Sequence, residues 1–70
     1  MTRGMRLLSI REVQAKIGGK GRSWIYEQMK RGKFPKQVSL GPGSVAWIEA
    51  EIDAWIETLA ETRDRNRFVP

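Results

Sequence analysis

Residues 9–32 read SIREVQAKIGGKGRSWIYEQMKRG. Two short helical segments flank a glycine-rich turn. Ser9-Ile10-Arg11-Glu12 has the spacing of a capping box, in which the hydroxyl and the carboxylate each accept the other residue's amide proton. The first helix is predicted from Ile10 to about Ile17, with Ile10, Val13 and Ile17 as its buried stripe. Gly18-Gly19 stops it. Lys20-Gly21 forms the turn, with Gly21 as N-cap. The second helix is predicted from Arg22 to about Arg31 and ends at Gly32. Ile25 and Met29 mark its buried face, which turns Ser23, Glu27 and Lys30 to the opposite side. Arg22, Trp24, Tyr26 and Arg31 flank that face. This is the helix-turn-helix pattern.

Downstream, Phe34-Pro35 breaks the helical period. Gln37-Val38-Ser39-Leu40 alternates polar and apolar, Gly41-Pro42-Gly43 is a turn, and Ser44-Val45-Ala46-Trp47 is a second extended run. Together they read as a β-hairpin over about 37–47, a candidate wing. A third helix is predicted from Ile48 or Glu49 to about Thr62, with the stripe Ile48, Ile52, Trp55, Ile56, Leu59. Upstream, Leu7-Leu8 is a brief strand or an apolar staple. The expected organisation is an N-terminal arm or short strand over 1–8, a domain over 9–62, and a flexible basic tail over 63–70. The expected fold class is mainly α with a small β-hairpin, about three helices plus a wing.

The chain has 70 residues and a net charge of +5, with no Cys and no His. A chain this short supports one domain. Without Cys there is no disulfide and no thiolate ligand. Without His, the commonest acid–base catalyst and metal ligand is missing. The charge is segregated. Residues 1–36 carry +8, residues 37–62 carry −5, and the last eight carry +2. A basic first half points to a polyanion. No apolar run approaches a membrane span, and no signal-peptide core follows the basic start. The expectation is a bacterial cytoplasmic protein that binds no membrane.

Lys20, Arg22, Lys30, Arg31, Lys33 and Lys36 crowd the second helix and its flanks. A helix in the major groove reads base edges with polar side chains. Lys30 can donate to guanine, Glu27 can accept from cytosine N4, and Ser23 can do either. The N-terminal dipole and Arg22 suit a phosphate. Tyr26 can pack its ring and reach a phosphate with its hydroxyl. Trp24 either packs beside the wing or touches sugar and thymine methyl groups. Glu49, Asp53, Glu57 and Glu61 recur every fourth residue and line one face of the third helix. That face reads as solvated, or as a partner surface. Gly18-Gly19-Lys20-Gly21 lacks the preceding strand and the Gly-Lys-Ser/Thr ending of a phosphate loop.

Arg22-Ser23-Trp24-Ile25-Tyr26, Gly32-Lys33-Phe34-Pro35 and the block from Gly41 to Ile56 resemble the AlpA family. These are small regulators of phages and integrated elements, related to excisionases and to the MerR-like winged helix. The similarity runs from about Leu7 to Glu57. The third block is the most specific, because it spaces two tryptophans around an acidic pattern. The resemblance implies a compact winged helix-turn-helix, with the second helix in the major groove and the hairpin on the backbone. Ser23, Glu27 and Lys30 would be the groove positions. Arg22, Tyr26, Lys36 and Ser44 would be backbone contacts. Three positions depart from the family pattern. Trp24 stands where Thr is usual, Gly21 where Ser is frequent, and Gly43 where Arg often tips the wing.

The expected function is a sequence-specific double-stranded DNA-binding transcriptional regulator of a phage or integrated element, not an enzyme, with no cofactor and no metal. One such module buries roughly 600–1,000 Å² of protein surface, so tight binding calls for repeated sites or self-association on DNA. The alternatives are an excisionase or recombination directionality factor that bends DNA, and an anti-repressor acting through the acidic third helix.

Overall fold

The computed structural model describes residues 5–66. In chain order it contains β1 (Leu7–Leu8), α1 (Ile10–Lys16), α2 (Arg22–Lys30), β2 (Val38–Gly41), β3 (Ser44–Ile48) and α3 (Glu49–Asn66). Among the described residues, three helices thus accompany a three-stranded antiparallel sheet of order β1-β3-β2. The Leu7-Leu8 pair forms a strand, with Leu7 opposite Ile48 and Leu8 opposite Trp47. The first four residues of the expected N-terminal arm lie outside the described residues.

At seven residues α1 is too short to persist on its own. It is held at its start by the predicted capping box. The Ser9 hydroxyl accepts from the Glu12 amide at 3.2 Å, and the Glu12 carboxylate accepts from the Ser9 amide at 2.8 Å. Val13 at its centre is fully buried. The turn to α2 needs two left-handed residues, and Gly18 and Gly19 supply them at φ +91° and +84°. The Gln14 side-chain amide spans the turn and donates to the Lys20 carbonyl at 3.0 Å.

The core gathers Leu8, Val13, Ile25, Phe34, Ala46, Trp47 and Ile52. Every helix and two of the strands contribute, so no two-element piece holds it. Phe34 sits between two indoles, edge-on to Trp24 at 6.4 Å and to Trp55 at 4.7 Å between centroids. Two further contacts tie down the connection after α2. The Trp55 indole donates to the Lys33 carbonyl at 2.8 Å, and the Trp47 indole donates to the Pro35 carbonyl at 3.1 Å. A packed indole needs a partner for its N–H, and here the partners are loop carbonyls that no helix or strand uses.

The hairpin pairs Val38 with Ala46, Ser39 with Val45 and Gly41 with Ser44. Pro42-Gly43 makes its tip. Gly43 lies at φ +70°, as the third residue of a type II turn requires. The register breaks between Ser39 and Gly41. Leu40 is the extra residue and is 55% exposed. Gln37-Val38-Ser39-Leu40 alternates polar and apolar in sequence, but the regular pairing does not continue through Leu40. A bulge adds one residue to one strand and breaks the alternation at that point.

Helix α3 follows β3 without a linker, and its first amide, from Glu49, donates to the Arg6 carbonyl at 2.7 Å. It differs from expectation in two ways. It runs to Asn66 rather than ending near Thr62. Arg63 and Arg65 lie in its last turn, where cations oppose the negative end of the helix dipole. The remainder of the expected tail, 67–70, lies outside the described residues. Leu59, the last member of the predicted stripe, is 51% exposed. At ~1.5 Å per residue the helix is about 27 Å long and outruns the core that covers Ile52, Trp55 and Ile56.

Candidate functional site

Helix α2 is anchored by one fully buried residue, Ile25, and by half-buried Met29 and Trp24. That anchorage fixes which way the rest of the helix points. Ser23, Glu27 and Lys30 are all exposed, so the face that periodicity assigned to solvent is the face that reaches it. Arg22, Tyr26 and Arg31 are exposed beside it, as are Lys20, Lys33 and Lys36 in the flanking loops. Most of the predicted contact residues, Lys20 and those from Arg22 to Arg31, therefore belong to one continuous segment around α2. Lys36 and Ser44 stand apart, at the base and the tip side of the hairpin.

The aromatic members differ from one another. The Tyr26 ring leans on Trp47 with centroids 6.3 Å apart, yet the residue remains 42% exposed. Its hydroxyl is thereby held on a packed ring. Trp24 is half-buried against Phe34, and its ring also lies 5.3 Å from the Lys20 ammonium. The ring thus packs on Phe34, in the connection after α2, with a cation–π contact that orders Lys20 over it.

The N-cap of α2 is Gly21, which has no side chain to bond the first-turn amides. A serine at this place would occupy one of them. Glu27 is not isolated either: its carboxylate accepts from Arg31 Nε at 3.0 Å, one turn on.

The acidic stripe of α3 divides in two. Lys16 reaches Glu49 at 3.3 Å and Asp53 at 3.0 Å, and Arg6 reaches Glu49 at 3.9 Å and Glu12 at 3.5 Å. These contacts join the N-terminal segment, α1 and α3. The hydrogen bonds that the Lys16 ammonium donates to Asp53 and then to Glu49 raise its pKa above the ordinary value. The Ser9 amide, helped by the Ser9 side chain and Arg6, lowers that of Glu12 against a desolvation that opposes it. The sequence carried one signal for this cluster. Lys16 ends α1 while Glu49 and Asp53 begin α3, but only the tertiary fold brings them together. Glu57 and Glu61 remain exposed farther along. Among the described residues no group of His, Cys, Asp and Glu could hold a metal ion, and no helix is long and apolar enough to cross a membrane.

Against this geometry, the family described as "Prophage CP4-57 regulatory protein (AlpA)" matches residues 6–60. The chain belongs to the AlpA family. The match takes in both helices of the helix-turn-helix, the hairpin and most of α3. "Uncharacterized protein ORF88" of Enterobacteria phage P4 is 47% identical over 51 residues, covering 73% of this chain and 57% of the relative. The chain therefore spans little more than half the length of that relative. No solved structure gives a significant match. The AlpA family is one of regulatory proteins of prophage origin, and its match encloses every predicted contact residue.

Proposed function

We propose that this AlpA-family chain is a sequence-specific regulator that binds double-stranded DNA with α2 in the major groove. The observation that carries the reading is the α2 segment itself. One face is locked into the core through Ile25, and the other presents Ser23, Glu27 and Lys30 amid Lys20, Arg22, Arg31, Lys33 and Lys36. Ser23 and Lys30 address base edges, while Lys20, Arg22, Tyr26 and Lys36 address phosphates. The open first-turn amides at Gly21 favour an anion at the same end. Trp24 supports α2 by packing. Ser44 and the hairpin add a neutral contact, since residues 37–48 carry no charge. The protein works in the bacterial cytoplasm, where its DNA lies, without cofactor or chemistry, and repeated sites or self-association on DNA supply tight binding.

The anti-repressor alternative gains less from the structure. Glu49 and Asp53, half of the stripe it would use, are paired with Lys16 and Arg6. A salt titration of duplex binding decides between the two. If about 4–6 phosphates are neutralised, log K falls with log salt at a slope of roughly −4 to −5. Absent or salt-insensitive duplex binding would refute the DNA reading.

A further inference from the structure

The geometry points to Arg31 as a specific two-pronged donor to the duplex, held in its binding geometry by Glu27, which acts as a positioning residue rather than as a base reader. This inference rests on the DNA reading above and sharpens it.

Three observations carry it. First, the contact between the two is made through Arg31 Nε at 3.0 Å from Glu27 Oε2. A guanidinium has one N–H at Nε and the rest at its terminal nitrogens. Engaging Nε therefore leaves the Nη1–Nη2 edge available to another pair of acceptors. That edge is the fork that matches paired acceptors, whether guanine O6 and N7 or two phosphate oxygens. Second, Glu27 precedes Arg31 by four residues, the spacing and order in which a helical ion pair is favoured. Third, both side chains are exposed, Glu27 one turn from Ser23 and Arg31 next to Lys30 at the C-cap of α2. A long side chain ordered before binding loses less freedom on binding. The pair thus turns a mobile cation at the end of α2 into a preset fork.

An opposite role is equally concrete. Glu27 can compete with DNA for Arg31, so that the pair must break before the duplex is bound. The two roles differ in sign. As a positioning residue, Glu27 strengthens binding only when Arg31 is present. As a competitor, it weakens binding only when Arg31 is present. Its plain charge repulsion from phosphates is common to both backgrounds and cancels in a double-mutant cycle.

The experiment is that cycle, read by fluorescence anisotropy on a duplex selected from a random pool by the unmodified chain, with a scrambled duplex as control. The single variants are Glu27→Gln, Arg31→Ala and Arg31→Lys, and the double variant combines Glu27→Gln with Arg31→Ala. Circular dichroism checks that each is folded, as expected for exposed positions. Arg31→Ala should lose on the order of tenfold in affinity. Arg31→Lys should not restore it, because an ammonium has no fork. The cycle should show a favourable Glu27–Arg31 coupling of about threefold or more. If the acceptors belong to guanine, the loss is confined to one base pair and the preference there relaxes. If they belong to phosphates, the loss is uniform over sequences and the salt slope falls by roughly one.

A coupling of zero or of the opposite sign, with Glu27→Gln binding more tightly only beside Arg31, overturns the inference. So does a base preference that depends on Glu27 in the Arg31→Ala background. Those results leave the DNA reading standing. If the unmodified chain binds no duplex at all, the DNA reading falls and this inference falls with it.

Discussion

Helices α2 and α3 are built to one plan inward and to opposite plans outward. Each sinks one fully buried isoleucine, Ile25 or Ile52, into the same core. Around Ile25 the outward charged side chains of the α2 segment are the cations Arg22, Lys30 and Arg31 and the single acid Glu27, which pairs with Arg31. Around Ile52 the outward charged side chains are acidic, and the first two of the stripe, Glu49 and Asp53, are taken up by cations from α1 and the N-terminal segment. In both helices the apolar anchor and the charged side chains occupy different faces. The acids of α3 draw Arg6 and Lys16 into structural roles, and the cations left exposed concentrate about α2.

The largest effects should come from the face that the two helices share. Ile25→Ala and Ile52→Ala each remove a fully buried side chain, at an expected loss of about 2–5 kcal/mol. In a domain of this size that amounts to most of the stability, so both variants should be largely unfolded by circular dichroism and thermal melting. Leu59→Ala continues the same stripe of α3 but is half-exposed, and should change stability by less than ~0.5 kcal/mol. A melt showing Leu59 as costly as Ile52 would mean that the far end of α3 is packed in solution.

The next effect separates the outward faces. Lys30→Ala should melt like the parent chain yet lose duplex affinity on the order of tenfold. Glu57→Ala, the corresponding truncation on α3, should also melt like the parent and should lose none. Anisotropy titrations of both on one duplex test the contrast. Equal losses would mean that the binding surface is not α2.

What could be read from the sequence follows the reach of each signal. Helical period is local, and it set the inward and outward sides of α2 correctly from Ile25 and Met29 alone. The capping box at Ser9 and Glu12 is local too, and the structure contains it. Period carries no information on how far the core extends, so it placed Leu59 inside. Alternation carries none on bulges, so nothing in residues 37–40 announces the register break at Leu40. The indole anchors on Lys33 and Pro35, and the Arg6–Lys16–Glu49–Asp53 cluster, join residues far apart in the chain, and no spacing rule reports them. The apolar stripe of α3 stops at Leu59 and so carries no signal for the last turn, where Arg63 and Arg65 suit a helix terminus. The AlpA resemblance, carried by residues 7–57, lies within the family match over 6–60. Its most specific block, with Trp47 and Trp55, turns out to hold the two indoles that pin the loop leading out of α2.

The smallest effect tests whether the ion pairs on the α3 side hold structure at all. Lys16 has a raised pKa in the folded chain, owed first to Asp53 and then to Glu49. A raised folded value means that the folded state holds the proton more tightly than the unfolded one. The stabilisation is then complete below the ordinary lysine value of 10.5 and fades as pH rises through the higher folded value. Glu12 behaves in the mirror sense. Its pKa is lowered by the Ser9 amide, so its stabilisation is present above the ordinary 4.5 and is lost as pH falls through the lower folded value. Urea midpoints taken across the acid limb should therefore fall less steeply for Glu12→Gln than for the parent. Across the alkaline limb, Lys16→Met should flatten the fall in the same way. Both groups are at the surface, so each change should be modest and should shrink in high salt. Parallel curves for parent and variant on either limb would mean that the charge on that side of the molecule is only solvated, and the contrast between the two helices would reduce to α2 alone.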